Sequence, residues 1–268
     1  LDTGAQLDHP VLSDSFTSAS YDFIDDDPVP SDDSNGLDDD GDGAVDEAVG
    51  HGTYVAGLVH LVAPEAQIMP LRVLDTDGNG DTFVIAEALW FAVAHGAQVV
   101  NLSLGLVQDS EFLEEVIEDV VEEGVTVVAS AGNVDSDLPL YPAAFDDVLA
   151  VGAIGPTDVK SPFSNYGLWV DLVAPGESVY STYPTDGWAW WGGTSMAAPF
   201  VTGQAALLYS LDGELDREAV ALVIISTAVS VAASNPDHIG LLGAGRPDLV
   251  ASLVAALEGD ELDEGGAG

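Results

Sequence analysis

The chain has 268 residues, 47% of them hydrophobic and 19% charged, enough for one large domain with a substantial core. Its 47 acids face four bases for a formal net charge of -43, which excludes nucleic acid and anionic membrane surfaces as partners, because lysine and arginine are what hold phosphates. No apolar run reaches the ~18 residues of a membrane span, and with no cysteine there is no disulfide, thiolate metal site or thiol nucleophile.

Leu1 leads directly into Asp2-Thr3-Gly4. This abrupt start, without an initiator methionine or a basic-then-apolar leader, reads as a piece cut from a longer precursor. Residues 25–47 concentrate acids with glycine and proline, cannot bury a core, and read as an inserted loop. A helix is predicted to start at His51. Strands are predicted at Ile68–Leu74, Gln98–Leu104, Val125–Ser130 and Val148–Ile154, with a shorter one at Trp169–Val173. These are near-continuous apolar runs, as in strands buried on both faces of a parallel sheet. Helices are predicted between and after them, at Thr82–His95, Ser110–Glu123, Thr194–Leu211, Asp216–Thr227 and Pro247–Leu257. In Ser110–Glu123, Phe112, Val116 and Val120 mark the apolar face, and Gly124 ends the helix. The alternation predicts a doubly wound α/β fold with a mainly parallel sheet and helices on both faces, over residues 1–258. Residues 259–268 read as an acidic, glycine-rich tail or linker.

The acidity has two readings: a solvated skin on an exported protein, or adaptation to high salt, where repulsion among acids is screened. A single lysine in the whole chain favours the second. That reading expects stability to rise from low to molar salt, and a flat response would refute it.

Three short motifs carry chemistry: Asp2-Thr3-Gly4, Gly50-His51-Gly52-Thr53, and Gly193-Thr194-Ser195-Met196-Ala197-Ala198-Pro199. Taken alone, Asp-Thr-Gly is a turn, or half of an aspartic peptidase whose two carboxylates share a proton. The second reading needs another such motif, and none occurs. His9, His60, His95 and His238 read as structural, whereas His51 is flanked by glycines that let backbone come close. Ser195 stands at a helix N-terminus, where free N–H groups favour developing negative charge.

In the chain order Asp, His, Ser, the motifs resemble those of the subtilase family. The resemblance extends to Asn101-Leu102-Ser103-Leu104-Gly105, Val128-Ala129-Ser130-Ala131-Gly132-Asn133, Tyr141-Pro142-Ala143, Val148-Leu149-Ala150-Val151-Gly152-Ala153, Phe163-Ser164-Asn165-Tyr166-Gly167, Val173-Ala174-Pro175-Gly176 and Gly243-Ala244-Gly245-Arg246. It covers the chain apart from the acidic loop and the tail. It implies a subtilisin-like fold and a serine endopeptidase with Ser195 as nucleophile, His51 as general base and Asp2 orienting the histidine. It also implies an oxyanion site formed by Asn133 with the Ser195 N–H. Related serine-carboxyl peptidases have an acid where Asn133 stands. Family members have an apolar strand leading into the aspartate; here only Leu1 remains, so the expectation is a domain truncated at its catalytic strand, with Asp2 liable to fray.

By the same resemblance, Ser103, Leu104 and Gly105 form an edge that pairs with extended protein or peptide substrate. With Ser130, Ala131 and Gly132 they wall the pocket for the residue before the scissile bond (P1). Leu140 sits at its floor, and no charged residue stands in either segment, so an apolar or small P1 side chain is expected. Trp188-Ala189-Trp190-Trp191 reads as core or rim packing, and an exposed tryptophan there would extend the cleft. In the acidic loop, Asp38, Asp40, Asp42 and Asp46 occupy positions 1, 3, 5 and 9 of an EF-hand-like spacing, with glycine at 6. Calcium is expected there as a structural ion, with Glu47, Asn35 or Asp33 completing the set, and no cofactor is needed for chemistry. Asp75 to Asp81 spell a similar start but read as a surface turn. The expected protein is an extracellular or cell-surface monomer with a propeptide or flanking domains outside this chain. The rival function is a catalytically silent fold acting as a calcium-dependent binding module.

Overall fold

The computed structural model describes residues 1–211 and 215–264, the last six of these by backbone alone. At the centre is a parallel sheet of four strands in the order β3-β4-β5-β6: Val99–Leu102, Thr126–Ser130, Val148–Ile154 and Leu172–Pro175. Every residue of β4 and β5 is buried, the signature of strands covered on both sides. Successive side chains alternate between faces. Val127, Ala129, Val148 and Ala150 join the core under α2 (Thr82–Ala94) and α3 (Glu111–Glu122). Val128, Leu149 and Val151 join the core under α4 (Thr194–Leu211), α5 (Arg217–Ser226) and α6 (Leu249–Glu264). The predicted doubly wound α/β architecture is therefore the observed one.

A second parallel pair, β1 (Tyr21–Asp22) with β2 (Leu71–Arg72), lies apart from the main sheet. Between β2 and β3 is a cavity of about 480 Å³, lined by Met69–Leu71 on one side and Gln98–Asn101 on the other, with Leu1 and Asp2 among its walls. Asp2 itself is held in the sheet direction. Its N–H donates to the Leu71 carbonyl at 3.1 Å, and its own carbonyl accepts from Val73 at 2.9 Å. Helix α1 (His51–Val62) packs on α4, and Gly203 lets the two approach so closely that a Cβ there would strike Val62.

Some predicted elements shift. The short strand expected at Trp169–Val173 runs from Leu172 to Pro175. Val170 instead closes a turn onto the Gly167 carbonyl, and the Trp169 indole donates to Asp137. On α3 the buried residues are Leu113, Val116, Ile117, Val120 and Val121, while Phe112 stands outside them against Phe83. The tryptophan run forms an antiparallel hairpin, β7 (Val179–Tyr183) with β8 (Gly187–Trp191). Trp188 and Trp190 are exposed on it, and Trp191 is half-buried. The stretch expected to form a tail from residue 259 is helical backbone as far as Glu264, and residues 265–268 lie outside the described residues. No described helix is long and apolar enough to cross a membrane.

Asp171, just before β6, accepts from the Ala150 N–H at 2.8 Å through Oδ2. Burial pushes its carboxyl up to about 6, against the opposing pull of that bond. A folded value above the unfolded one contributes stability that is complete below pH ~3.8 and lost as pH rises through 6. Asp171→Asn keeps an acceptor for Ala150 and removes the charge. It should leave stability near pH 4 little changed and raise it at pH 8 by about 1–3 kcal/mol. Denaturant titrations at both pH values check this; equal effects at both would contradict it.

Candidate active site

Five segments converge where the parallel strands end: Asp2–Gly4, the start of α1, the exits of β3 and β4, and the start of α4. This carboxyl-end face is where doubly wound sheets place their ligand sites. Gly52 makes the convergence possible, since a Cβ there would collide with the Gly4 carbonyl and approach Asp2. The first turn of α1 therefore lies directly on the Asp2–Gly4 backbone. Asp2 is 6% exposed, and its Oδ1 takes the His51 Nδ1 at 2.6 Å and the Thr3 N–H at 2.9 Å. Its Oδ2 is buried and has no partner among the described residues. Burial acts to lower the His51 imidazole below its ordinary 6.5. The charge of Asp2, its hydrogen bond and a further charge on Asp32 outweigh burial and raise it. The Trp191 ring stands 5.9 Å from the imidazole.

Ser195 is the second residue of α4. Pro199 has no N–H to give the Ser195 carbonyl four residues back, and the Ser103 hydroxyl supplies that bond at 2.9 Å. In return Ser195 Oγ donates to the Ser103 carbonyl at 3.3 Å. Asn101 Nδ2 donates to Ser103 Oγ, and Thr202 Oγ1 donates to Asn101 Oδ1, so the β3 exit is pinned to α4. No His51–Ser195 hydrogen bond occurs among the described residues; such bonds often tighten only around substrate.

Asn133 is aimed by Thr194. The Thr194 N–H, which can only donate, meets Asn133 Oδ1 at 2.8 Å, and Thr194 Oγ1 meets the same oxygen at 3.0 Å while accepting from Gly132. The amide orientation is thereby fixed, and Nδ2, near Gly193, is left to donate. The Ser195 N–H lies in the first turn of α4, where backbone donors have no helical partner. Two donors thus stand at the start of α4, where Ser195 lies.

Ser103, Leu104, Ser130 and Ala131 are buried, and Leu104 packs into the core while also lining the cleft beside His51. Gly105 is exposed. A Cβ on Gly105 or Gly132 would meet Leu140 Cδ2, so Leu140 lies between the two segments. Paired backbone bonds between Leu106 and Tyr141 tie the two sides together. A cleft of about 200 Å³ opens beside His51, walled by Ser103–Leu106. This cleft, and not the larger cavity between β2 and β3, adjoins the imidazole.

In the acidic loop, carboxylate oxygens of Asp38, Asp40 and Asp42 lie within 4.8 Å of one another, all exposed. Asp46, expected with them, turns away and accepts the N–H groups of Asn35 and Gly36. Glu47 has its carboxyl raised, first by the charge of Asp42, then by burial and by Asp40, Asp77 and Asp38. In the stretch from Asp75 to Asp81, Asp75 accepts from Asp77 and Asn79, and Asp81 caps α2 through Phe83, as a turn would.

Sequence reasoning missed the residues that aim the site. Asn165 accepts from Val134 and Ser136 and donates to Ala131 and Gly132, gripping both sides of Asn133. Asp32 is hidden among like residues, yet it is buried between the Asp2 and His51 segments. Thr194 lies in the serine motif and Trp191 in the tryptophan run, yet neither carried a signal of its role in aiming the site.

Residues 1–245 match the family described as the Subtilase family. The chain is 40% identical over 220 residues to a thermophilic serine proteinase from Bacillus sp. (strain AK1), covering 78% of this chain and 51% of that protein. It is 39% identical to thermitase from Thermoactinomyces vulgaris, covering 78% and 73% respectively. The chain thus spans about half the length of the first relative and about three-quarters of the second. A solved structure of proteases from Pseudoalteromonas arctica aligns with a TM-score of 0.86 at 28% identity, over 96% of this chain and 88% of that one.

The electrostatics of the imidazole give one expectation that is independent of turnover. An NMR titration of labelled histidine should place His51 above 6.5, and Asp2→Asn should bring it below, since burial is then no longer outweighed. A value that does not move on substitution would contradict the assignment of Asp2 as the dominant charge.

Proposed function

The chain belongs to the subtilase family, a family of serine peptidases, and on that premise we propose that it is an endopeptidase working through Asp2, His51 and Ser195. The observation that carries this reading is the 2.6 Å bond from Asp2 to the histidine that heads α1, with Ser195, in the first turn of α4, bonded to the Ser103 that lines the same cleft. Ser195 Oγ attacks the scissile carbonyl carbon as its proton passes to His51 Nε2, and Asp2 stabilises the imidazolium. The new oxyanion accepts from Asn133 Nδ2 and the Ser195 N–H, donors already oriented before charge develops. Collapse expels the amine, which takes the proton from His51 and leaves an acyl-enzyme. Water then repeats the sequence and frees the serine.

Extended substrate would lie along Ser103–Gly105, with Ser130–Gly132 as the opposite wall and Leu140 between them. A pocket closed by leucine and lacking charge favours apolar or small P1 side chains. The acidic composition accords with an extracellular or cell-surface location. A fluorophosphonate should form a covalent adduct at Ser195 in the wild type and none in Ser195→Ala, and a peptide library should be cut after apolar or small residues. An unlabelled wild-type chain would sink the catalytic reading, and a strong lysine or arginine preference at P1 would sink the pocket assignment. Asn133→Ala should cost about 10²–10³ in kcat.

Calcium fits the acidic loop by donor chemistry: three converging carboxylates, hard oxygen ligands, whose unneutralised charge already raises the Glu47 carboxyl. Asp38, Asp40 and Asp42 would hold it. The ion would supply the positive charge that lets this segment stay folded ahead of His51. Chelation at fixed ionic strength should lower both Tm and activity, and Asp40→Asn should blunt the response. No change in either quantity on chelation would end the proposal.

A further inference from the structure

We propose that Asp32 is a positioning residue of the catalytic centre, a buried carboxylate that clamps the segment carrying Asp2 to the helix start carrying His51. The proposal rests on the reading of Asp2 and His51 as catalytic.

Asp32 belongs to the acidic loop but behaves unlike it. It is 3% exposed, whereas Asp33 and the acids from Asp38 to Asp42 are exposed. Its Oδ1 accepts from Thr3 Oγ1 and from the Gly50 N–H, both at 2.9 Å. Its Oδ2 accepts from the Thr53 N–H at 3.0 Å and from Thr53 Oγ1 at 2.6 Å. Thr3 follows Asp2; Gly50 precedes His51, and Thr53 is two residues beyond it. Every donor to this carboxylate thus comes from one of the two segments whose alignment sets the 2.6 Å Asp2–His51 bond. Thr3 Oγ1 also accepts the Gly52 N–H at 3.0 Å, closing a ring of bonds around that alignment.

A buried carboxylate is expensive without a cation, and none meets Asp32 among the described residues. Arg72 pairs with Asp22 and Asp25, Lys160 with Asp135, Arg217 with Asp147 and Arg246 with Asp158. Four hydrogen bonds and the N-terminal end of α1 offset part of that cost, and burial still holds the carboxyl above its ordinary value. The backbone already ties the loop to the centre: Ala5 donates to the Pro30 carbonyl at 2.8 Å, and Gly4 fits against Pro30 and Ser31. Charge at this position does act on the imidazole. The charged groups that raise His51 are Asp2 and Asp32, and the rings packed near it, Trp191 and through it Tyr54 and Tyr183, are uncharged.

Asp32→Asn removes the charge and leaves one acceptor oxygen. Thr53→Val keeps the charge and removes one hydroxyl donor. In Asp32→Asn, kcat should fall about 10- to 100-fold with KM little changed, as expected of misplaced reacting groups. The acid limb of kcat/KM, which reports the free-enzyme base, should move to lower pH. Thr53→Val should lower kcat less and leave the limb in place. The proposal is overturned if folded Asp32→Asn keeps wild-type kcat, or if its loss comes with an unmoved limb and a matching rise in KM. Should Asp32→Asn fail to fold, Thr53→Val and Thr3→Val decide: lower kcat at constant KM supports the clamp, and wild-type kcat in both refutes it. Failure of the catalytic reading itself is separately visible, as absence of activity and of a Ser195 adduct in the wild type.

Discussion

The backbone of Gly52 rests on the carbonyl of Gly4 at a distance that admits no side chain between them. Most of the site follows from that contact. It brings the first turn of α1 over the strand end that holds Asp2, and so puts an imidazole and a carboxylate within a short hydrogen bond. Such an approach needs glycine on the helix, since any Cβ there would push the segments apart. A second contact of similar logic joins β3 to α4. Proline at 199 frees the Ser195 carbonyl from the helix ladder, and Ser103 takes it. Ser195, the proposed nucleophile, is thereby fastened to the segment proposed to hold the substrate, so that hydroxyl and scissile bond would share one frame.

Charge is distributed with the same economy. With 47 acids and four bases, each lysine and arginine among the described residues is committed to an acid partner. Arg72 and Lys160 are buried, and Lys160 also donates to the carbonyls of Ser161 and Ser164 and lies over the Tyr166 ring. A buried ammonium with this many acceptors stands where its loss would leave several carbonyls and a carboxylate unsatisfied. The active centre receives no such partner. Its negative charges are balanced by backbone N–H groups, helix ends and one titratable ring, which leaves the imidazole as the group that answers to pH.

The fold was legible where local pattern and burial coincide. β4 and β5 are uninterrupted apolar runs because both faces are covered, and a run of that kind has one natural place in an α/β protein. The site motifs were legible because glycines flank the histidine in one and stand near the serine in the other. β6 was offset because Trp169 and Val170 resemble strand residues but close a turn, and the hairpin of β7 and β8 was missed because its tryptophans stand on an exposed edge. Asp46 fitted a spacing rule, yet its carboxylate was taken by two nearer backbone donors. Asn165 lay inside a segment that resembles the family, but neither its role nor that of Asp32 was legible, since their partners lie tens of residues away.

That division has a physical basis. A group that reacts must be exposed to substrate and can be recognised by its own chemistry and its neighbours along the chain. A group that aims it must be buried, satisfied and remote, because rigidity comes from bonds that join separate segments. Asn133 illustrates both. Its amide is recognisable from the segment in which it lies, but which end of the amide is left free to donate is decided by Thr194, sixty-one residues on. In the proposed mechanism, reversing that amide would present an oxygen to the developing oxyanion and turn a stabilising donor into a repulsive acceptor. The residue's contribution therefore depends as much on a threonine hydroxyl and a backbone N–H as on asparagine itself.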